Sequence, residues 1–337
     1  MRISAAAIGN LSASPLRRHI AGLSLCADFA LRLHELQQLR SLERLTALDL
    51  CEIGGELARQ MHSAGYSREQ RAQMLRDLLP LHLNNLMLPA WGATALMQAL
   101  IDALPALPGL TNLHLGVVGD LDLAPLMQLP QLRRLCLSNH TSMPQRAIIK
   151  QLGTLTSLDS TFDGWQRDEL LALLQPPHAL QRLQELPLSA DTIVDPQLLE
   201  LLEQLPALTA LPAVSIEPGC WAGRGGLSQL RTLQVSWPGD FTPLQQLELK
   251  ASLAALPHLT DLGISLHSEA NGDRAPLALQ LPAVCSLRLS RLRLPSLSFL
   301  QHSPTLTHLS LAWCREINAD EMLISQLHLR PTARSAS

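Results

Sequence analysis

The side chains of this 337-residue chain best suited to chemistry are its histidines, its cysteines and a scatter of carboxylates and guanidinium groups. His82, His114 and His308 could each ligate a metal, but no third ligand follows at a usable spacing, so no metal site is assigned. Cys220 beside Trp221 is of the type of a thiol nucleophile, yet no base can be assigned to activate it. A structural role, buried or partly buried, suits it better, as it does Cys26, Cys51, Cys136 and Cys285. The run from Ala222 to Gly226 is glycine-rich but lacks the lysine and the strand–loop–helix setting of a phosphate cradle, and it reads as a loop. Sequences of the forms G-x-x-x-x-G-K-[ST], H-E-x-x-H and G-x-S-x-G are absent. No catalytic residue and no cofactor is assigned, and a non-enzymatic protein is expected.

The polar residues follow a different rule. Asp49, His82, His114, Arg134, Asp159, Glu185, Gln234, Asp261, Arg288 and His308 each flank a leucine of a recurring pair spaced by one position, aliphatic at both places in all but Leu158/Ser160. In a strand, that alternation sends the aliphatic pair to one face and the flanking residue to the other. These ten residues are the candidate partner-binding set.

The elements that would position them come from a recurring frame, L-x-x-L-x-L. Its last two positions fall at Leu48/Leu50, Leu113/Leu115, Leu135/Leu137, Leu186/Leu188, Leu233/Val235, Leu262/Ile264, Leu287/Leu289 and Leu309/Leu311. Less complete copies lie at Leu23/Leu25, Leu81/Leu83 and Leu158/Ser160, and between Leu208 and Ile216 two registers are open, Leu211/Ala213 and Val214/Ile216. The spacing of about 22–33 residues gives roughly twelve units. Helix signals occupy several spacers: a capping box at Ser67-x-x-Gln70, Asp195 before Pro196, Thr242 before Pro243, Asn318-x-x-Glu321, and apolar runs at Ala95–Leu104 and Leu170–Leu174. No unit can bury its own leucine face, so neighbours must stack, with strands pairing in parallel and helices returning behind them. The expected fold is α/β: a curved solenoid with a parallel β-sheet on its concave face and helices and loops on the convex face. Residues 1–330 are expected to form a single domain of irregular units, with 331–337 as a disordered tail. Neither end carries an obvious polar cap, which leaves self-association through the repeat ends open.

Composition agrees with a stacked aliphatic core. Leucine supplies nearly a quarter of the chain, against one Tyr and four Phe. A formal charge of −3 gives no electrostatic case for nucleic acid or an anionic membrane as partner. The six cysteines form no C-x-x-C pair and no terminal cluster, which favours a reducing compartment. No signal-like or membrane-length apolar run is present. The expected location is cytoplasmic, with the nucleus or delivery into a host cell as alternatives.

The repeated frame resembles the leucine-rich repeat family. In the stretch PTLTHLSLAWCREINADEMLISQL from Pro304 to Leu327, Leu309-Ser-Leu311-Ala-Trp313-Cys314 and the following Ile317 are similar to the family's cysteine-containing subtype. The resemblance implies a protein-interaction scaffold that binds another protein on its concave face. The subtype implies an alternative, the target-recognition part of a ubiquitin-ligase subunit or of a secreted bacterial effector. It also implies that Cys314 points into the turn and weakly caps it. The family's asparagine ladder is broken here, because the positions three residues past the strands are mostly other types. Trp237, Trp313 and Phe162 sit two residues past their strands, where they either anchor a partner or fill the turn left by the missing asparagines.

Overall fold

Leucines spaced by three and then two positions have no helical period, so they are buried only if the backbone extends and the next unit stacks upon it. The computed structural model describes residues 2–3, 8, 11, 14–25, 33–50, 59–61, 64–88, 94–116, 119–138, 141–160, 165–188, 192–216, 226–237, 243–266, 283–292, 294, 297, 300 and 303–314. It divides into two compact units, Met1–Asp163 with Gln175–Arg182, and Gly164–Leu174 with Leu183–Ser337.

Among the described residues, the first unit holds a seven-stranded parallel sheet in chain order. The strands are β1 (Arg2–Ile3), β2 (Gly22–Leu25), β3 (Ala47–Asp49), β4 (Asn85–Leu88), β5 (Asn112–Leu115), β6 (Arg134–Leu137) and β7 (Ser157–Ser160). Their register aligns Leu23, Leu48, Leu86, Leu113, Leu135 and Leu158 in one row, all buried. Leu88, Leu115 and Leu137 form a second row. Burying each such leucine stabilises the stack by roughly 1.5–3 kcal/mol.

One strand is not where the sequence reading places it. The pair Leu81/Leu83 lies ahead of β4, which uses Leu86 and Leu88 instead. Leu83 is the first leucine of a complete frame, Leu83-x-x-Leu86-x-Leu88, and Leu81 is left exposed. A shift of this kind moves the flanking residue off the sheet.

A second device locks the stack. Thr46, Thr111 and Thr156 precede their strands, and each hydroxyl donates to the carbonyl at the same position of the preceding unit, Ala21, Asn84 and Arg133, at 3.0–3.2 Å. Thr209, Thr260 and Thr307 repeat it in the second unit, donating to Gln184, Arg231 and Cys285. Those carbonyls already accept two backbone N–H groups, so the threonine hydroxyl adds a third contact that shares the same oxygen.

The helices lie behind the sheet. Arg68–Leu78 begins with the expected capping box, Ser67 and Gln70 bonding reciprocally at 2.9 and 3.2 Å. Thr94–Ala103 realises the apolar run that begins at Ala95. A further box at Ser142, which the sequence reading passes over, starts Met143–Ile149. Its Gln145 is buried, accepts the Ser142 N–H and donates to the carbonyls of Gly119 and Leu121.

The second unit holds a parallel sheet of β8 (Ile193–Val194), β9 (Ala210–Ile216), β10 (Thr232–Trp237), β11 (Asp261–Leu266), β12 (Ser286–Ser290) and β13 (His308–Ala312), again in chain order. Both candidate registers before Ile216 fall inside β9. Leu211 pairs with Leu233 and Val214 with Val235, so β9 carries one extra residue around Pro212. The pair Leu186/Leu188 makes no ladder strand, only isolated bridges from Glu185 to Ala210 and from Leu188 to Trp165. Pro187 between them has no N–H to give a ladder. Arg167–Leu174, Pro196–Glu203 and Pro243–Ala254 are its helices, and Asp195 caps the second by accepting from Leu198 N at 2.8 Å. The cap expectations at Thr242 and Asn318, Phe162, the cysteines 26, 51 and 220 and the tail 331–337 lie outside the described residues.

Each unit is thus an α/β leucine-rich repeat solenoid, one face of its parallel sheet packed on leucine and the other turned outward. Among the described residues, no helix is long and apolar enough to cross a membrane.

Candidate functional face

The outward face of each sheet is a set of columns running across the strands. In the first unit the middle column reads Ser24, Asp49, Met87, His114, Cys136 and Asp159 from β2 to β7. The column before it reads Gly22, Ala47, Asn85, Asn112, Arg134 and Ser157. The register therefore puts Asp49, His114 and Asp159 in one line, with Arg134 one column away. All four are at least partly exposed. His82 is exposed but sits in the turn before β4, and it takes no place on the face.

Hydrogen bonds orient this column. Ser24 Oγ donates to Asp49 Oδ2 at 2.7 Å, and the Ser160 N–H donates to Asp159 Oδ1 at 2.7 Å. His114 Nε2 and Ser138 Oγ lie 2.9 Å apart, and Ser138 is buried. Burial holds the His114 imidazole below its ordinary pKa, and the charges of Asp159 and Asp49 oppose that shift without overcoming it. The ring is accordingly neutral at pH 7. Among the described residues, no group of three or more His, Cys, Asp or Glu is placed to hold a metal ion.

In the second unit Glu185, Ala210, Thr232, Asp261, Ser286 and His308 share the first column. Gln234, Gly263, Arg288 and Ser310 share the middle one. Arg288 donates to Asp261 Oδ2 of the preceding strand at 3.1 Å, so two of the expected binding residues pair with each other. Both are partly exposed, and such a pair contributes at most about 1 kcal/mol. Gly263 leaves a notch that Gln234 fills, since a Cβ there would lie 2.9 Å from Gln234 Cγ. His308 Nδ1 lies 2.9 Å from Thr307 Oγ1.

Beyond the middle column runs a row of small residues that the sequence reading misses. Ser215, Ser236, Ser265 and Ser290 follow one another across the second sheet. Ser215 Oγ donates to Ser236 O at 3.2 Å, and the hydroxyls of Ser236 and Ser265 meet at 2.6 Å. Ser138 holds the corresponding place after Leu137 in the first unit. The legible signal is a small residue directly after the second aliphatic position.

Two rim residues stand out. Trp313 is 82% exposed, so it does not fill the turn, and its φ of 58° is left-handed. Arg291, equivalently placed after β12, has φ 57°. Non-glycine residues adopt this conformation uncommonly. Cys314 Sγ donates to Leu289 O of the preceding unit at 3.4 Å.

The helix side of the first unit carries a charged cluster that the sequence reading does not anticipate. Arg68 reaches from its helix to Asp102 with two hydrogen bonds, 2.5 and 2.8 Å, and touches Asp122 at 3.5 Å. Burial pushes the Asp102 carboxyl up, but hydrogen bonds from Arg68 and Gln98 and the charges of Arg68 and Arg76 bring it below the usual carboxylate range. An open groove of about 250 Å³ lies beside them, lined by Arg68, Arg76, Asp102, Pro105 and Pro125 among others. Its charges are matched within the cluster, which ties neighbouring helices together.

No family model matches the chain, and no curated protein matches it. Solved structures do. An internalin (inlF) of Listeria monocytogenes is similar at a TM-score of 0.42 and 14% identity, over 98% of this chain and 95% of that one. The Toll–Spatzle complex of Drosophila gives 0.45 and 18%, over 87% of this chain and 36% of that one. A second Listeria internalin, inlC2, gives 0.27 and 18%, over 70% and 81%. Scores this low equate no two folds, and the repeat architecture stands on the strand registers and leucine rows of this chain itself.

Proposed function

We propose that the chain is a non-catalytic protein-interaction scaffold that binds another protein on the concave face expected of such repeats, taken in each unit as the outward face of its sheet. The observation that carries this reading is the in-register array of partly exposed polar residues, Asp49, His114, Arg134 and Asp159 in one unit and Glu185, Gln234, Asp261, Arg288 and His308 in the other. An array fixed by backbone ladders is pre-organised, so a partner docks without the cost of ordering loops. Mixed charge with few apolar groups suits a reversible protein partner rather than a substrate pocket.

The test is capture from the source cells' lysate by wild type, by a variant with Arg134, Asp159, Glu185 and Asp261 each changed to Ala, and by a helix-side control, Met143→Ser with Leu247→Ser. Loss of the same partner only in the sheet-face variant supports the reading. Retention there, with loss in the control, moves binding to the helix side.

A second reading makes the same face the target-recognition part of a ubiquitin-ligase subunit or of a secreted bacterial effector. The Cys314 cap on Leu289 O favours it, because that is the role the cysteine-containing subtype gives this position. A stable adaptor protein among the captured partners separates it from the free-standing scaffold.

A further inference from the structure

We propose that the rim of the first unit's sheet where its strands begin takes an acidic segment of a partner protein, held by unpaired arginines. This rests on the reading of the chain as a protein-interaction scaffold and names the chemistry of the partner.

The ladder of the first sheet extends one residue ahead of its strands. The N–H groups of Thr46, Asn84, Thr111, Arg133 and Thr156 each donate to the carbonyl at the same position of the preceding unit. One residue further back, Ile20, Leu45, Leu83, Leu110, Leu132 and Leu155 are all buried. The turns just ahead of these residues are therefore stacked in register, and they form a rim along the start of the sheet.

That rim is basic. From five residues before each strand to its first residue, β2 to β7 carry Arg17, Arg18, Arg44, Arg133 and Arg134 against one carboxylate, Glu43. Five arginines less one glutamate leave four positive charges, in a chain whose formal charge is −3. The same positions ahead of β9 to β13 in the second unit carry Arg231 and Asp261, whose charges cancel. Arg18, Arg44, Arg133 and Arg134 are exposed and Arg17 is half-buried. Among the described residues, none of the five guanidinium groups has a hydrogen-bond or ion-pair partner, unlike Arg68 and Arg167, which are paired with Asp102 and Asp195. Arginine stays charged throughout the pH range of a folded protein, so the rim carries a standing positive field.

Four strand spacings separate β2 from β6, about 19 Å. An extended segment of about six residues spans that length, so its carboxylates meet Arg18, Arg44 and Arg133 in turn. A polypeptide suits the rim better than a nucleic acid. Glu43 lies within the row, and Asp49 and Asp159 lie on the adjoining face, where an unbroken phosphate backbone meets repulsion. A peptide avoids that by placing uncharged residues between its acids.

The experiment uses the full chain and three fluorescein-labelled probes: a peptide of alternating glutamate and serine, the same peptide with lysine for glutamate, and an oligothymidylate of the same charge as the first. Fluorescence anisotropy at low salt should show the glutamate peptide binding about ten-fold or more tightly than the lysine peptide, with affinity falling as salt rises. Arg18→Gln, Arg44→Gln and Arg133→Gln together should weaken it about ten-fold with an unchanged melting temperature, whereas Arg182→Gln with Arg231→Gln should leave it as it was. No binding of the glutamate peptide, equal effects of the two variants, or tighter binding of the oligothymidylate overturns the inference. If the glutamate peptide fails to bind while the sheet-face variant still loses its captured partner, the rim inference falls and the sheet-face reading stands. If the peptide binds as described while that variant keeps its partner, the rim inference stands and the sheet-face reading falls.

Discussion

His114 shows how a single position on the face links packing to chemistry. Its Nε2 meets the hydroxyl of buried Ser138 at 2.9 Å, and burial holds its pKa below the ordinary 6.5. The unfolded chain therefore takes up this proton at higher pH than the folded one. The stability it contributes is complete above the ordinary value and is lost as pH falls through it, levelling once the folded ring also protonates. His114→Gln, which keeps a side chain able to bond Ser138, should flatten the fall of melting temperature between neutral and mildly acidic pH. An unchanged slope would place the titration elsewhere. At this scale much was legible: simple alternation assigned Asp49, His114, Arg134 and Asp159 to the outward face. His82 was not, because two leucine pairs compete in the run Leu81–Leu88 and only stacking on β3 and β5 decides between them. The fate of Trp313 was equally out of reach, since a left-handed φ at a non-glycine residue leaves no mark in the sequence.

At the scale of the element, the leucine rows and the caps carry the load. Leu113 is buried between Leu86 and Leu135, so Leu113→Ala should cost about 2–5 kcal/mol in urea unfolding, as a cavity with no room to collapse. Ser67→Ala removes one half of the capping box and should cost about 1 kcal/mol by the same measurement. A loss as large as that of Leu113→Ala would mean the helix start, rather than the leucine row, governs the unit. The strand at Leu186/Leu188 failed to form a ladder because Pro187 withholds a donor, a signal present in the sequence and outweighed there by the leucine frame. The extra residue of β9 was visible only as two competing registers, since pairing with β10 makes it a bulge. The threonine locks could have been read as L-T-x-L-x-L, but their purpose appears only when the preceding unit's carbonyl is in place.

Among the described residues the molecule is two stacks of repeats, whose inward rows supply stability and whose outward columns carry the polar residues on which the proposed binding rests. Cys136 provides the most direct probe of the central claim. It carries no disulfide, is partly exposed, and lies in the middle column between His114 and Asp159. The measurement is its rate of alkylation by iodoacetamide, followed by peptide mass spectrometry with and without the partner captured in the lysate experiment. Partner docked on the sheet face should slow labelling of Cys136 several-fold. Unchanged labelling of Cys136 in the saturated complex would contradict the account and place the binding surface away from the sheet.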